Sequence, residues 1–297
     1  MASSWLRERL DDPGVRVIDC RFKLGRPGAG EELWRAGHIP GAAFMDVDSE
    51  LASEPGGRGR HPLPDAEAFQ AAARRAGIAP DMLVVAYDEA AEGGAARLWW
   101  LLRHFGHNRV AVLDGGLRGW RAEGAPLESG TEQPAAGAKA EEAAARAFVP
   151  RLREGDTRMA DELVRPAGAD ELARPSGPDA SALPRRAGRL LLDARAPERY
   201  RGEVEPIDAV AGHIPGAVNL PFAELAPEGR FLAPEELRAR FWAAGAEAGR
   251  ELVAYCGSGV TACVLVLAAE VAGLEPARLY PGSWSEWSGR GLPAERH

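Results

Sequence analysis

Short apolar runs of four or five residues alternate along this chain with longer stretches whose apolar positions recur at helical spacing. The short runs predict strands over Val15–Asp19, Leu83–Tyr87 and Val110–Leu113, and again over Arg189–Asp193, Glu251–Tyr255 and around Arg278–Tyr280. Cys263–Val271 is apolar throughout and long enough to be a buried helix rather than a strand. Strands separated by helical runs predict an α/β fold in which a parallel sheet is covered on both faces by helices. Ligands then belong at the carboxyl ends of the strands.

The pattern occurs twice. Ala36-Gly37-His38-Ile39-Pro40-Gly41-Ala42 recurs without change as Ala211-Gly212-His213-Ile214-Pro215-Gly216-Ala217. Val17-Ile18-Asp19-Cys20-Arg21 answers Leu191-Leu192-Asp193-Ala194-Arg195, and Leu83–Tyr87 answers the strand ending at Tyr255. Asp114-Gly115-Gly116-Leu117 answers Pro281-Gly282-Ser283-Trp284. Matching elements in matching order imply two copies of one domain, over 1–130 and 151–297. Between them, 131–150 reads as a linker, because Glu128 to Arg146 is rich in Ala, Gly and Glu without a core pattern. Ala167 to Arg186, punctuated by Gly and Pro, reads as an extended surface loop.

Composition narrows the function classes. The chain has 297 residues, of which 45% are hydrophobic, enough for two cores. No apolar run approaches the ~20 residues that span a bilayer, and the charged start lacks a signal-peptide pattern, so a cytoplasmic protein without membrane partners is expected. A net charge of −8 argues against a nucleic-acid partner. The three cysteines, Cys20, Cys256 and Cys263, lack the spacing of a zinc site or disulfide framework, and no metal or organic cofactor is expected.

The chemistry concentrates at Cys256-Gly257-Ser258-Gly259-Val260-Thr261, a glycine-bearing turn between an apolar strand and an apolar helix. Backbone N–H groups gathered there, with the helix dipole, favour a negative charge and therefore a thiolate nucleophile. The flanking glycines offer no side-chain wall, which argues against a merely buried cysteine. Cys20, which the second copy replaces by Ala194, and Cys263 in the helix read as structural. The first copy has Asp88 where the second has Cys256. An anionic substrate would need local arginines, and Arg195, Arg199 and Arg201 cluster after the second copy's first strand, although such runs are also common as solvated faces. His38 and His213 occur in both copies and read as turn-stabilising. His61 follows Asp48 in the first copy alone, so the fold itself does not require it; the alternative is a solvent-exposed loop histidine. A thiolate phosphatase would need an arginine six residues after the cysteine, where Ala262 stands.

With these motifs in order, the chain resembles the tandem-domain rhodanese family of sulfurtransferases from about Val17 to Trp287. The resemblance implies two rhodanese folds, the nucleophile only in the second, and sulfur carried as a Cys256 persulfide between a small anionic donor and a thiol or cyanide acceptor. The thiol would be a low-molecular-weight compound or a thioredoxin-like protein. It implies that Arg199 binds the donor's anionic group, that the amides of Gly257, Gly259, Val260 and Thr261 bind the reacting sulfur, and that Asp48, His61 and Ser258 form a proton relay. The Cys-Gly-Ser-Gly-Val-Thr loop is similar to the 3-mercaptopyruvate branch, whereas basic residues after the cysteine mark the thiosulfate branch. One departure weakens that similarity: Ile207 and Asp208 follow Glu205-Pro206 where animal members carry a second arginine. Pro281, where the family usually carries aspartate, is a second departure that points to neither donor. Thiosulfate is the alternative donor, and a non-enzymatic binding module the alternative class.

Overall fold

The computed structural model describes residues 1–130, 148–164 and 188–296. Most of the expected linker and the loop from Ala167 to Arg186 lie outside the described residues. The chain forms two compact units, one comprising Met1–Glu154 with Ala223–Leu232, the other Gly155–Phe222 with Ala233–His297.

Each unit is built on a four-stranded parallel sheet. In the first, β1 (Val15–Asp19), β2 (Ala43–Phe44), β3 (Leu83–Tyr87) and β4 (Val110–Val112) lie in the order β2-β1-β3-β4. In the second, β5 (Arg189–Asp193), β6 (Val218–Asn219), β7 (Glu251–Tyr255) and β8 (Arg278–Leu279) repeat it as β6-β5-β7-β8. Helices follow the strands, as parallel pairing requires, because consecutive parallel strands need a crossover. The central strands are buried, and strands covered on both faces read as the near-continuous apolar runs seen in Leu83–Tyr87 and Glu251–Tyr255. The two-residue strands β2 and β6 follow the Gly-His-Ile-Pro-Gly turns and are too short to leave a periodic signal in the sequence.

The repeated motifs do the same structural work in both units. Tyr87 Oη donates to Asp19 at 2.7 Å and accepts from Ile39 N at 3.2 Å. Tyr255 Oη likewise accepts from Ile214 N at 3.2 Å, tying the turn to the sheet. His38 Nδ1 is 2.7 Å from Trp34 O, and His213 Nδ1 is 2.8 Å from Tyr200 O; both rings are buried. Each histidine therefore stitches its turn to the preceding helix. The cores correspond too, with Val85, Tyr87, Leu117 and Trp120 packed in the first and Val253, Tyr255, Trp284 and Trp287 in the second.

One segment departs from sequence order. Ala223–Leu232 packs with the first unit, where Gly115 N donates to Gly229 O at 3.0 Å and Phe231 N to Asp114 Oδ1 at 3.0 Å.

Candidate active site

In the second unit, β7 delivers Cys256 at its carboxyl end, and the helix Ala262–Val271 begins six residues later. Gly259 N–H donates to Cys256 Sγ at 3.1 Å. That contact requires Gly259 at φ +83°, and a Cβ there would lie 2.3 Å from Pro281 O. Underneath, Cys263 Sγ donates to Gly259 O at 3.3 Å, so this buried thiol holds the loop and is part of the core. An N–H donor aimed at the sulfur is the arrangement a nucleophile in an anion-cradling loop requires.

A second loop encloses the first. Cys256 N donates to Ser283 Oγ at 3.1 Å, Trp284 N donates to Cys256 O at 3.0 Å, and Ser285 N donates to Gly257 O at 2.9 Å. Cys256 is consequently only 2% exposed, more covered than its glycine neighbours suggest, because backbone supplies the wall that side chains do not. Ser283 holds φ +53°, a left-handed conformation that a serine adopts at a cost. Sequence reading passed over it, yet the repeat offered a signal: the first unit has Gly116 at this place, with φ +55°. The Ser283 side chain at this strained position is the one that accepts from the Cys256 amide.

The three arginines separate. Arg195 is buried, donates to both oxygens of Asp193 and to Gly212 O, and lies 4.9 Å above the Trp284 ring. Arg201 pairs with Glu203 on the surface. Arg199, on the short helix Pro197–Arg201, donates through Nη2 to Glu205 Oε1 at 2.7 Å and to Asp208 Oδ2 at 3.4 Å. Its Nε is buried and has no hydrogen-bond partner among the described residues. Glu205 and Asp208 were not singled out in the sequence as its partners, because nothing in the spacing tells which way the turn after Glu205 folds.

In the first unit, His61 Nε2 is 3.0 Å from Asp48 Oδ1, and the ring is buried. With Nε2–H donating to the Asp48 carboxylate, Nδ1 is the basic nitrogen of the neutral ring. Burial lowers the His61 pKa, Asp48 works in the opposite direction, and Arg97 and Arg60 add to the lowering. Ser258 lies in the second unit, buried within the Cys256 loop.

Asp88, at the end of β3, shows what the same loop does without a thiol. Its Oδ2 accepts from Gly93 N at 3.0 Å and Ala95 N at 3.1 Å, and burial pushes its pKa up to about 6. A folded-state value above the unfolded one contributes stability below about pH 4 that is lost as the pH rises through about 6. Denaturant unfolding from pH 4 to 7 checks this. The advantage of Asp88→Asn over the unsubstituted protein is expected to grow by about 2–3 kcal/mol across that window. A pH-independent difference would show that folding does not shift the Asp88 carboxyl. Cys20 is fully buried beside Asp19 and Asp88, and its thiol pKa is driven well up by burial first and those carboxylates second, as a structural residue would be.

Comparison with known proteins decides the family. The rhodanese-like domain matches this sequence twice, over residues 2–123 and 176–290. The chain belongs to the rhodanese family. Among its relatives, SseB of Mycobacterium tuberculosis, whose name provisionally assigns it thiosulfate sulfurtransferase activity, is 42% identical over 93% of this chain and 88% of its own. The 3-mercaptopyruvate sulfurtransferase of Escherichia coli is 36% identical over 99% of this chain and 97% of its own. The crystal structure of SseA from Escherichia coli, described as having the rhodanese fold of 3-mercaptopyruvate sulfotransferases, superposes with a TM-score of 0.75 at 31% identity, covering 96% of this chain and 98% of that one. This rhodanese-family chain is accordingly an enzyme of the sulfurtransferase class. Among its described residues, no helix is long and apolar enough to cross a membrane.

Proposed function

We propose that this enzyme takes sulfur from 3-mercaptopyruvate, holds it as a persulfide on Cys256 and passes it to a thiol or to cyanide. The observation that carries the reading is the Cys256 loop, where an amide N–H already points at the sulfur. The thiolate attacks the donor's sulfur and the C–S bond breaks. Its electron pair passes to the three-carbon fragment, which leaves as the pyruvate enolate and takes up a proton. The acceptor then attacks the outer sulfur and returns Cys256 as thiolate. Arg199 and the amides of Gly257, Gly259, Val260 and Thr261 bind the donor and its developing charge in this reading. A low-molecular-weight thiol or a thioredoxin-like protein is the acceptor, and three free thiols suit a cytoplasmic setting.

Asp48, His61 and Ser258 supply the proton in the same proposal. The hydrogen bond between Asp48 and His61 supports it, since a carboxylate-oriented imidazole is a competent proton carrier. His61→Ala and Ser258→Ala are each expected to lower kcat/KM for mercaptopyruvate by about 10²-fold, with the double variant little worse than either. Thiosulfate turnover should be spared, because sulfite leaves as a stable anion without protonation. Equal losses with both donors, or full mercaptopyruvate activity in His61→Ala, would remove the relay.

A second reading, thiosulfate as the donor, is favoured by one observation: Nη2 of Arg199 is already engaged by Glu205 and Asp208. Steady-state kcat/KM for the two donors, measured with the same cyanide acceptor, separates the readings.

A further inference from the structure

A guanidinium grips a planar carboxylate by two parallel hydrogen bonds, either from Nε and Nη2 along its side or from Nη1 and Nη2 at its end. Both forks use Nη2. In Arg199 the two hydrogens of that nitrogen go to Glu205 Oε1 at 2.7 Å and Asp208 Oδ2 at 3.4 Å, so neither fork is open. Glu205 is not readily displaced. Its side chain is 3% exposed, its Oε1 also accepts from Ile207 N and Asp208 N at 3.2 Å each, and its Oε2 lies 3.4 Å from Arg195 Nη1. Asp208 makes the longer contact and is the weaker of the two holds. Were it gone, one Nη2 hydrogen would be released to complete a fork with the Nε–H, which has no partner among the described residues.

This cluster is linked to the nucleophile within the second unit. Glu205 touches Arg195, Arg195 lies on the Trp284 ring, and Trp284 N donates to Cys256 O. Arg199 and Cys256 also follow the carboxyl ends of neighbouring strands, with Asp193 opposite Tyr255 in the pairing of β5 and β7.

We propose that Asp208 is a specificity-determining residue that acts through Arg199: it withholds the paired guanidinium contact that a planar carboxylate donor uses best, and so narrows the margin by which the enzyme prefers mercaptopyruvate to a tetrahedral oxyanion such as thiosulfate. A tetrahedral oxyanion can take single hydrogen bonds from several separate donors and loses less when the fork is closed. The inference rests on the sulfurtransferase reading and on Arg199 as the anion-binding residue. It makes donor preference adjustable at a residue that need not touch the reacting atoms.

The test compares kcat/KM for mercaptopyruvate and thiosulfate, with cyanide as acceptor, in the unsubstituted enzyme, Asp208→Ala, Asp208→Asn and Arg199→Ala/Asp208→Ala. In Asp208→Ala the ratio of the two values is expected to move about tenfold toward mercaptopyruvate, through KM with kcat little changed. Asp208→Asn, which keeps an acceptor oxygen and loses the charge, should fall between; it also carries the test if the alanine variant does not fold. Without Arg199 the shift should vanish. An unchanged ratio, or a shift that persists in the absence of Arg199, would overturn the proposal. Should the unsubstituted enzyme turn over neither donor, the sulfurtransferase reading is what fails. Alkylation of Cys256 by iodoacetate relative to neutral iodoacetamide then reads Arg199 directly. That ratio must rise severalfold in Asp208→Ala, and a flat ratio would sink the proposal independently of sulfur chemistry.

Discussion

Cys256→Ser is expected to reduce sulfur transfer by on the order of 10⁴–10⁶-fold while leaving both units folded, since removal of a nucleophile forfeits the covalent route altogether. The unsubstituted enzyme, treated with donor in the absence of acceptor, should gain one sulfur atom in intact mass, and peptide mapping should place it on Cys256. Cys20 and Cys263 should stay unmodified, the first buried next to two carboxylates that oppose its ionisation, the second engaged with Gly259 O beneath the loop. A serine hydroxyl has nearly the same shape and could still accept from Gly259 N–H, so the variant removes reactivity with little change in packing. Full turnover by Cys256→Ser, or a persulfide on either other cysteine, would end the proposed mechanism.

How much of this site could be read from the chain depends on which forces set each part. Strands β1, β3, β5 and β7 have the limits their apolar runs predicted, because central strands of a covered parallel sheet are apolar on both faces and stand out from their flanks. The Cys256 loop was legible as the candidate site by subtraction: two copies of one fold with one cysteine-bearing loop single out that loop. Arg199 was legible as a cation but not as a tethered one. Its partners come from a turn whose direction is set by Glu205 accepting the Ile207 and Asp208 amides, and such local side-chain-to-backbone bonding leaves no periodic trace. The packing of Ala223–Leu232 with the first unit was likewise hidden, because its partners, among them Gly115 N on Gly229 O and Asp114 Oδ1 on Phe231 N, lie more than a hundred residues away in the chain. Contacts so distant leave no local pattern.

Gly259→Ala is expected to cost at least about 10²-fold in kcat/KM, and the reason lies in three demands that meet at one residue. The backbone stands at φ +83°, where an L side chain is strained by about 1–2 kcal/mol. An added Cβ would meet Pro281 O at 2.3 Å, and that oxygen belongs to backbone, so the loop itself must move. The loop is poorly placed to yield: Tyr280 N donates to Ala254 O at 2.9 Å, and Ser283 Oγ, two residues beyond Pro281, accepts from Cys256 N. Any relief of the collision therefore disturbs either the donor on Cys256 Sγ or the anchor on Cys256 N, and activity is lost with stability. Gly249→Ala separates the causes. It too sits at positive φ, +78°, but a Cβ there has nothing within 4 Å, so it should lose about 1–2 kcal/mol of stability and keep its sulfur transfer. If Gly259→Ala behaved like Gly249→Ala, with a modest fall in Tm and unchanged kcat/KM for both donors, the Gly259 N–H would not be stabilising the reacting sulfur. The anion-cradling role would then have to pass to other amides of the loop.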